Sequence, residues 1–96
     1  MNSLNQLIIE GNCTGNNNII GNAVEIEIEV TRNEEKSLFP IFVYGNLAAL
    51  CKESCTKGKG IRVVGRLTRS KWIDETGKHQ AGIGIVAEHI DFNGGE

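Results

Sequence analysis

The chain has 96 residues, 40% of them hydrophobic and 23% charged, a length that holds one modest core and leaves no room for a second domain. No apolar run approaches the roughly 20 residues of a membrane span, and Met1-Asn2-Ser3-Leu4-Asn5 lacks the basic and apolar regions of a signal peptide, so a cytoplasmic protein is expected. The net charge of -2 argues against a uniformly basic polyanion binder, but it hides an asymmetry: residues 1–48 carry 2 basic and 6 acidic side chains, residues 49–96 carry 8 and 6.

Leu4 to Glu10 reads as a first strand centred on Leu7, Ile8 and Ile9, and the polar stretch that follows, residues 11–18, predicts a turn or bend. Glu25 to Thr31 alternates strictly, with Ile26, Ile28 and Val30 on one face and Glu25, Glu27 and Glu29 on the other, the period of a half-buried strand. That acidic face is expected to point away from any groove that holds an anionic backbone. After a charged loop from Arg32 to Lys36, the continuously apolar run Leu38 to Tyr44 predicts a third strand; Pro40, without an N–H, belongs near its start, at a bulge or on an edge. Asn46 is placed to cap a short helix over Leu47 to Cys55, where Leu47, Leu50 and Cys51 recur at helical spacing. A long fourth strand from Ile61 to about Trp72, a turn over Asp74 to Lys78 and a fifth strand from about Gln80 to Phe92 complete a hairpin. Three strands, one helix and two strands is the order of an all-β OB-fold, a five-stranded Greek-key barrel with one short helix between strands 3 and 4. The domain is expected to fill residues 1–92, with 93–96 a short end.

Candidate chemistry is concentrated in the second half. Lys57, Lys59, Arg62, Arg66, Arg69 and Lys71 fall between Lys52 and Lys78, so a positive stripe can form on an acidic molecule. Arg69 and Lys71, two apart on one strand, share a face, and Arg66 lies on the other unless a bulge intervenes. Catalysis finds no foothold: His79 and His89 stand ten apart without a carboxylate or thiol at ligand spacing, and Cys51 with Cys55 would need two further ligands to hold a metal. No enzyme activity, cofactor or metal is expected, and the odd set of Cys13, Cys51 and Cys55 predicts free thiols in a reducing compartment.

Five stretches together resemble the bacterial single-stranded-DNA-binding protein family over nearly the whole chain. They are Leu4-Asn5-Gln6-Leu7-Ile8-Ile9-Glu10-Gly11-Asn12, the segment Ala23 to Arg32, Val43-Tyr44-Gly45-Asn46-Leu47-Ala48, Lys57-Gly58 followed by Gly65-Arg66-Leu67 and then Trp72-Ile73-Asp74-Glu75-Thr76-Gly77-Lys78, and Ile85 to Phe92. The resemblance implies sequence-independent binding and protection of single-stranded DNA in replication, recombination and repair, near the nucleoid. A binder of any sequence uses base faces and a positive track for phosphates. Trp72 and Tyr44 are then the stacking candidates, Arg69, Lys71 and Lys78 the first phosphate contacts, Arg62 and Arg66 secondary ones, and Phe39 a ring able to reach the groove.

Members of that family are homo-oligomers, usually tetramers built on dimers, which points to the edge of the first strand around Gln6, Ile8 and Glu10 as a pairing element. Where the family places further aromatics, this chain has Leu38 and the polar loop from Arg32 to Lys36, so weaker binding or a shorter site is expected. The end Phe92-Asn93-Gly94-Gly95-Glu96 lacks the acidic tip through which members recruit replication and repair proteins, as in a truncated domain or a variant without that role. Two other readings are a primosome-type OB protein that docks onto helicase or primase, and an OB domain that binds protein alone.

Overall fold

The computed structural model describes residues 3–73 and 75–92, and for 70–72 the backbone only. Its order is β1 (Leu7–Ile20), β2 (Ala23–Arg32), β3 (Glu35–Tyr44), α1 (Gly45–Ser54), β4 (Gly60–Ile73) and β5 (His79–Asp91). The strands close into one barrel in the order β1-β2-β3-β5-β4, the five-stranded OB-fold with its helix between β3 and β4. Closure pairs β1 with β4 and β3 with β5, while β1 over Leu7–Gly11 and β3 before Ile41 each keep one edge without a ladder partner among the described residues.

β1 extends well beyond the predicted strand, because the polar stretch 11–18 is a strand with a bulge and the turn comes later, at Gly21 and Asn22. Its first part pairs with β4, from Leu7 opposite Gly65 to Asn12 opposite Gly60, and its second with β2, from Asn12 opposite Glu29 to Ile20 opposite Ala23. Between Cys13 and Asn17 the register shifts: Thr14, Gly15 and Asn16 stand where β2 has only Glu27, and these two additional positions bend the strand so that one chain segment serves two neighbours. The asparagine side chains there donate across to β2 and to the Cys55 carbonyl, so composition alone reads as turn where tertiary pairing makes strand. The loop expected from Arg32 to Lys36 shrinks to a two-residue turn at Asn33 and Glu34, both at positive φ (50° and 69°), the geometry that continues strand twist through a tight hairpin.

Strict alternation in β2 works as expected: Ile26 and Ile28 are fully buried, and Val30 packs against the core. They meet Ile41, Val43, Ile61 and Val63 from the facing strands. Pro40 lies in the stretch of β3 paired only with β2, since the parallel pairing to β5 begins at Ile41 opposite Ile85. That free edge tolerates the missing donor. The helix corrects one expectation: Tyr44, not Asn46, is the N-cap, with no side-chain cap bond, so α1 is held by burying Ala48 and Cys51 in the end of the barrel.

Cys13, Cys51 and Cys55 are all buried free thiols at that plugged end, where Cys55 hydrogen-bonds to both Cys13 and Cys51. Contact with Cys55 and burial push Cys13 up; for Cys55 the bond with Cys13 acts downward, but that with Cys51 and burial outweigh it and raise the thiol to about 12. Two glycines are dictated by close backbone approach. A Cβ on Gly65 would run into the carbonyl oxygen of Val86 beside the bulge in the β4–β5 ladder, and one on Gly11 into that of Glu29.

Candidate nucleic-acid interface

β3 and β5 run parallel but pair only at Ile41–Ile85 and Phe42–Val86. Before that point in each strand, the β2–β3 and β4–β5 hairpins therefore project as separate arms from the barrel end opposite α1. Register assigns their faces. Ile26 opposite Ile41 and Ile28 opposite Phe39 face the core, so Leu38, Pro40, Phe42 and Tyr44 form the outer row of β3. Leu38 and Tyr44 are 55% and 50% exposed, so this row offers apolar surface to water. Tyr44 lies at its helix end. Phe39 belongs to the other side: it packs against the core, and Phe42 is the β3 phenylalanine on the outer face. No sequence signal separates these two rings, since the run around them is apolar at every position; only the pairing with β2 does.

Beside that row, Gly84 of β5 lies under the ring of Phe42, whose Cε2 is 3.5 Å from where a glycine Cβ would stand, with Thr68 Oγ1 of β4 at 3.4 Å. Along β4, Arg66, Thr68, 70 and 72 pair with Val86, Gly84, 82 and 80 and share the outer register, whereas Leu67, Arg69, 71 and Ile73 pair with Ile85, Ile83, 81 and His79 on the opposite face of the hairpin. The bulge at Val64/Gly65 precedes Arg66, so it does not bring Arg66 onto the face of Arg69. Trp72 thus occupies a backbone position on the outer register with Phe42, opposite Gln80, while Lys71 pairs with Ala81; the side chains of Lys71 and Trp72 lie outside the described residues, as does Asp74 of the turn.

The predicted cations separate into two groups. Arg62 and Arg66 stand on the outer wall of β4 as ion-pair partners of Glu10 (3.0 Å) and Glu88 (3.5 Å). Arg69 and Lys78 are exposed on the β4–β5 arm. On the arm's second face Leu67, Ile73 and Ile83 are 46%, 63% and 73% exposed, an apolar surface that the sequence reading did not single out. Alternation along β4 and β5 is a signal that could have found it.

Asn5 fastens the arm to the barrel. Its Nδ2 donates to the Leu67 carbonyl at 2.7 Å and its Oδ1 accepts from the Leu67 N–H at 2.9 Å, so a side-chain amide adds one rung beyond Leu7–Gly65. On the outer wall next to it, Gln6 and Ile8 are exposed, Ile8 at 66%, and Glu10 is held by Arg62. Over Leu7–Gly11, β1 pairs with β4 alone, since its pairing to β2 starts at Asn12. Among the described residues no cluster of three or more His, Cys, Asp or Glu is arranged to hold a metal ion, and no helix is long and apolar enough to cross a membrane.

A closed five-stranded barrel with a helix after its third strand and two projecting hairpins defines an OB-fold domain. Residues 4–93 match the model of the single-strand binding protein family, and the chain belongs to that family. Over 62 residues it is 31% identical to the single-stranded DNA-binding protein of Helicobacter pylori (strain ATCC 700392 / 26695), a stretch that covers 65% of this chain and 35% of that protein. The chain thus spans about a third of the curated relative it matches. In fold it is similar to crystal structures of the mitochondrial single-stranded DNA binding protein of S. cerevisiae, at a TM-score of 0.72 over 94% of this chain and 95% of that one with 14% identity. For a selenomethionine-labelled crystal of the yeast protein the TM-score is 0.70, over 93% and 94%, with 13% identity.

Proposed function

We propose that this domain binds single-stranded DNA without sequence preference, with bases laid against the outer row of β3 and along the outer register of the β4–β5 arm. The observation that carries the reading is the juxtaposition of Leu38, Phe42 and Tyr44 with the outer register of β4, where Trp72 stands, next to an arm that bears Arg69, Lys71 and Lys78. Base faces are common to all nucleotides, so apolar and aromatic surface next to cations suits any sequence. Arg62 and Arg66, already ion-paired, are left to the wall. In this reading the domain protects single strands exposed in replication, recombination and repair, in the cytoplasm at the nucleoid, and has no reaction of its own.

The same reading includes self-association. The edge of β1 between Leu7 and Gly11 that faces away from β4 has no ladder partner among the described residues, and the exposed Ile8 lies beside it, between Gln6 and Glu10. A second copy pairing there would satisfy backbone groups and cover Ile8 at once, so a dimer is the minimum unit and a tetramer of two dimers the natural extension. One experiment tests the central claim. The single tryptophan makes emission report on Trp72, and titration with oligo-dT should quench it with an affinity that falls steeply as salt rises. An unchanged spectrum with no DNA retained would overturn the proposal.

A further inference from the structure

In an OB-fold the outer face of strands 2 and 3 is the usual oligonucleotide platform. Here one half of that platform is anionic. Glu25, Glu27 and Glu29 stand opposite Phe42, Pro40 and Leu38, so three of the four residues of the outer β3 row have a glutamate as cross-strand neighbour, while Tyr44 stands opposite Ala23. The acidic face therefore does not point away from the candidate groove; it borders it from Leu38 to Phe42.

The charges are held by amides and a hydroxyl instead of cations. Asn16 Nδ2 and Thr14 Oγ1 both donate to Glu27 Oε1, at 3.0 and 2.8 Å, and Asn18 Nδ2 donates to Glu25 Oε1 at 3.2 Å. Asn16 and Thr14 keep the Glu27 carboxyl below the usual carboxylate range. The described ion pairs, Arg62–Glu10 and Arg66–Glu88, lie elsewhere on the barrel. Lys57 borders the small hollow that Glu29 also lines, but the two form no ion pair among the described residues. Neutral donors orient a carboxylate and leave its net charge in place, so the ladder presents a negative potential to the neighbouring strand.

We propose that the Glu25–Glu27–Glu29 ladder is an electrostatic border that confines a bound single strand to the β3–β5–β4 side of the barrel and limits its affinity and footprint. The inference rests on the single-strand-binding reading above. A phosphate backbone crossing β2 would pass within about 7 Å of each carboxylate, where repulsion in water is worth roughly a factor of three per charge at low salt and fades within a Debye length of about 10 Å at 0.1 M. Such a border makes the acidic half of the chain, and not only its scarcity of aromatics, a determinant of binding strength.

The test compares isosteric variants in binding to a fluorescently labelled oligo-dT at low salt. The triple variant Glu25→Gln, Glu27→Gln, Glu29→Gln keeps the acceptor oxygens and is expected to bind tenfold or more tightly, with more nucleotides occluded per chain. Glu29→Gln alone, at a side chain with no described hydrogen bond to lose, should gain roughly threefold, whereas Glu53→Gln on α1 should leave affinity within experimental error. An unchanged triple variant, or equal gains for Glu29→Gln and Glu53→Gln, would overturn the border, the second because net charge alone would then account for the effect. Tight binding by the unaltered chain with no gain in the variants sinks this inference and leaves the single-strand reading standing. Binding by the triple variant alone supports it, and binding by neither overturns both.

Discussion

β2 and the β4–β5 hairpin are both built from alternating residues, yet they do opposite work. In β2 every position has a settled side: Ile26 and Ile28 are fully buried, the glutamates between them face out, and ladders run along both edges. Beyond Leu67 the hairpin has left the barrel, so neither of its faces meets a core, and Leu67, Ile73 and Ile83 remain exposed beside Arg69. Alternation is thus a statement about asymmetry between two sides, and it identifies a wall only where one side is sealed. Where both sides are open, the same pattern produces surface for a ligand. The body should carry the stability of this protein and the arm its binding, and that division can be tested.

The largest effect is expected in the body. Ile28→Ala empties a fully buried site and should lower unfolding free energy by about 2 to 5 kcal/mol in urea denaturation, with DNA affinity per folded molecule unchanged. The thiol cluster gives the body an alkaline limit. A Cys55 thiol near 12 in the folded state, against 9.0 in the unfolded chain, keeps its proton on folding, so its contribution is complete below pH 9 and is lost as pH rises toward 12. For this group stability should fall as pH rises through that window, and native protein at pH 8 should resist thiol alkylation that the unfolded chain undergoes fully.

For the arm, Trp72→Ala should cost about 1 to 3 kcal/mol of oligo-dT affinity, tenfold or more, with the urea midpoint little changed. Retained affinity would favour a protein-docking role for this face instead. The smallest effect belongs to the seam between the two regions. Asn5→Ala removes the paired bonds to Leu67 and should lower stability by about 1 kcal/mol, seen chiefly as faster hydrogen exchange of the Leu67 amide. An equal loss of protection throughout the barrel would show that arm and body are one cooperative unit.

Much of this molecule is legible without coordinates because its signals are local. The period of Glu25 to Thr31 specifies a strand and its buried side, the helix between the third and fourth strands follows from where apolar spacing changes, and the hairpin is announced by its turn residues. The site was only partly readable. Trp72, Tyr44 and Arg69 can be singled out by residue type and family resemblance, but type does not say which face a residue occupies.

Register decided the rest. It separated Phe42 from Phe39 in a run with no polar residue to mark a side, set Arg66 apart from Arg69, turned the asparagine-rich stretch of β1 into a bulged strand, and brought the acidic row of β2 alongside the apolar row of β3. The amino-acid order by itself determined which segments become strands, because periodicity acts over a few residues. Only the closed barrel decided which rows become neighbours, since pairing joins residues far apart in the chain and a shift by one position would exchange every inside for an outside.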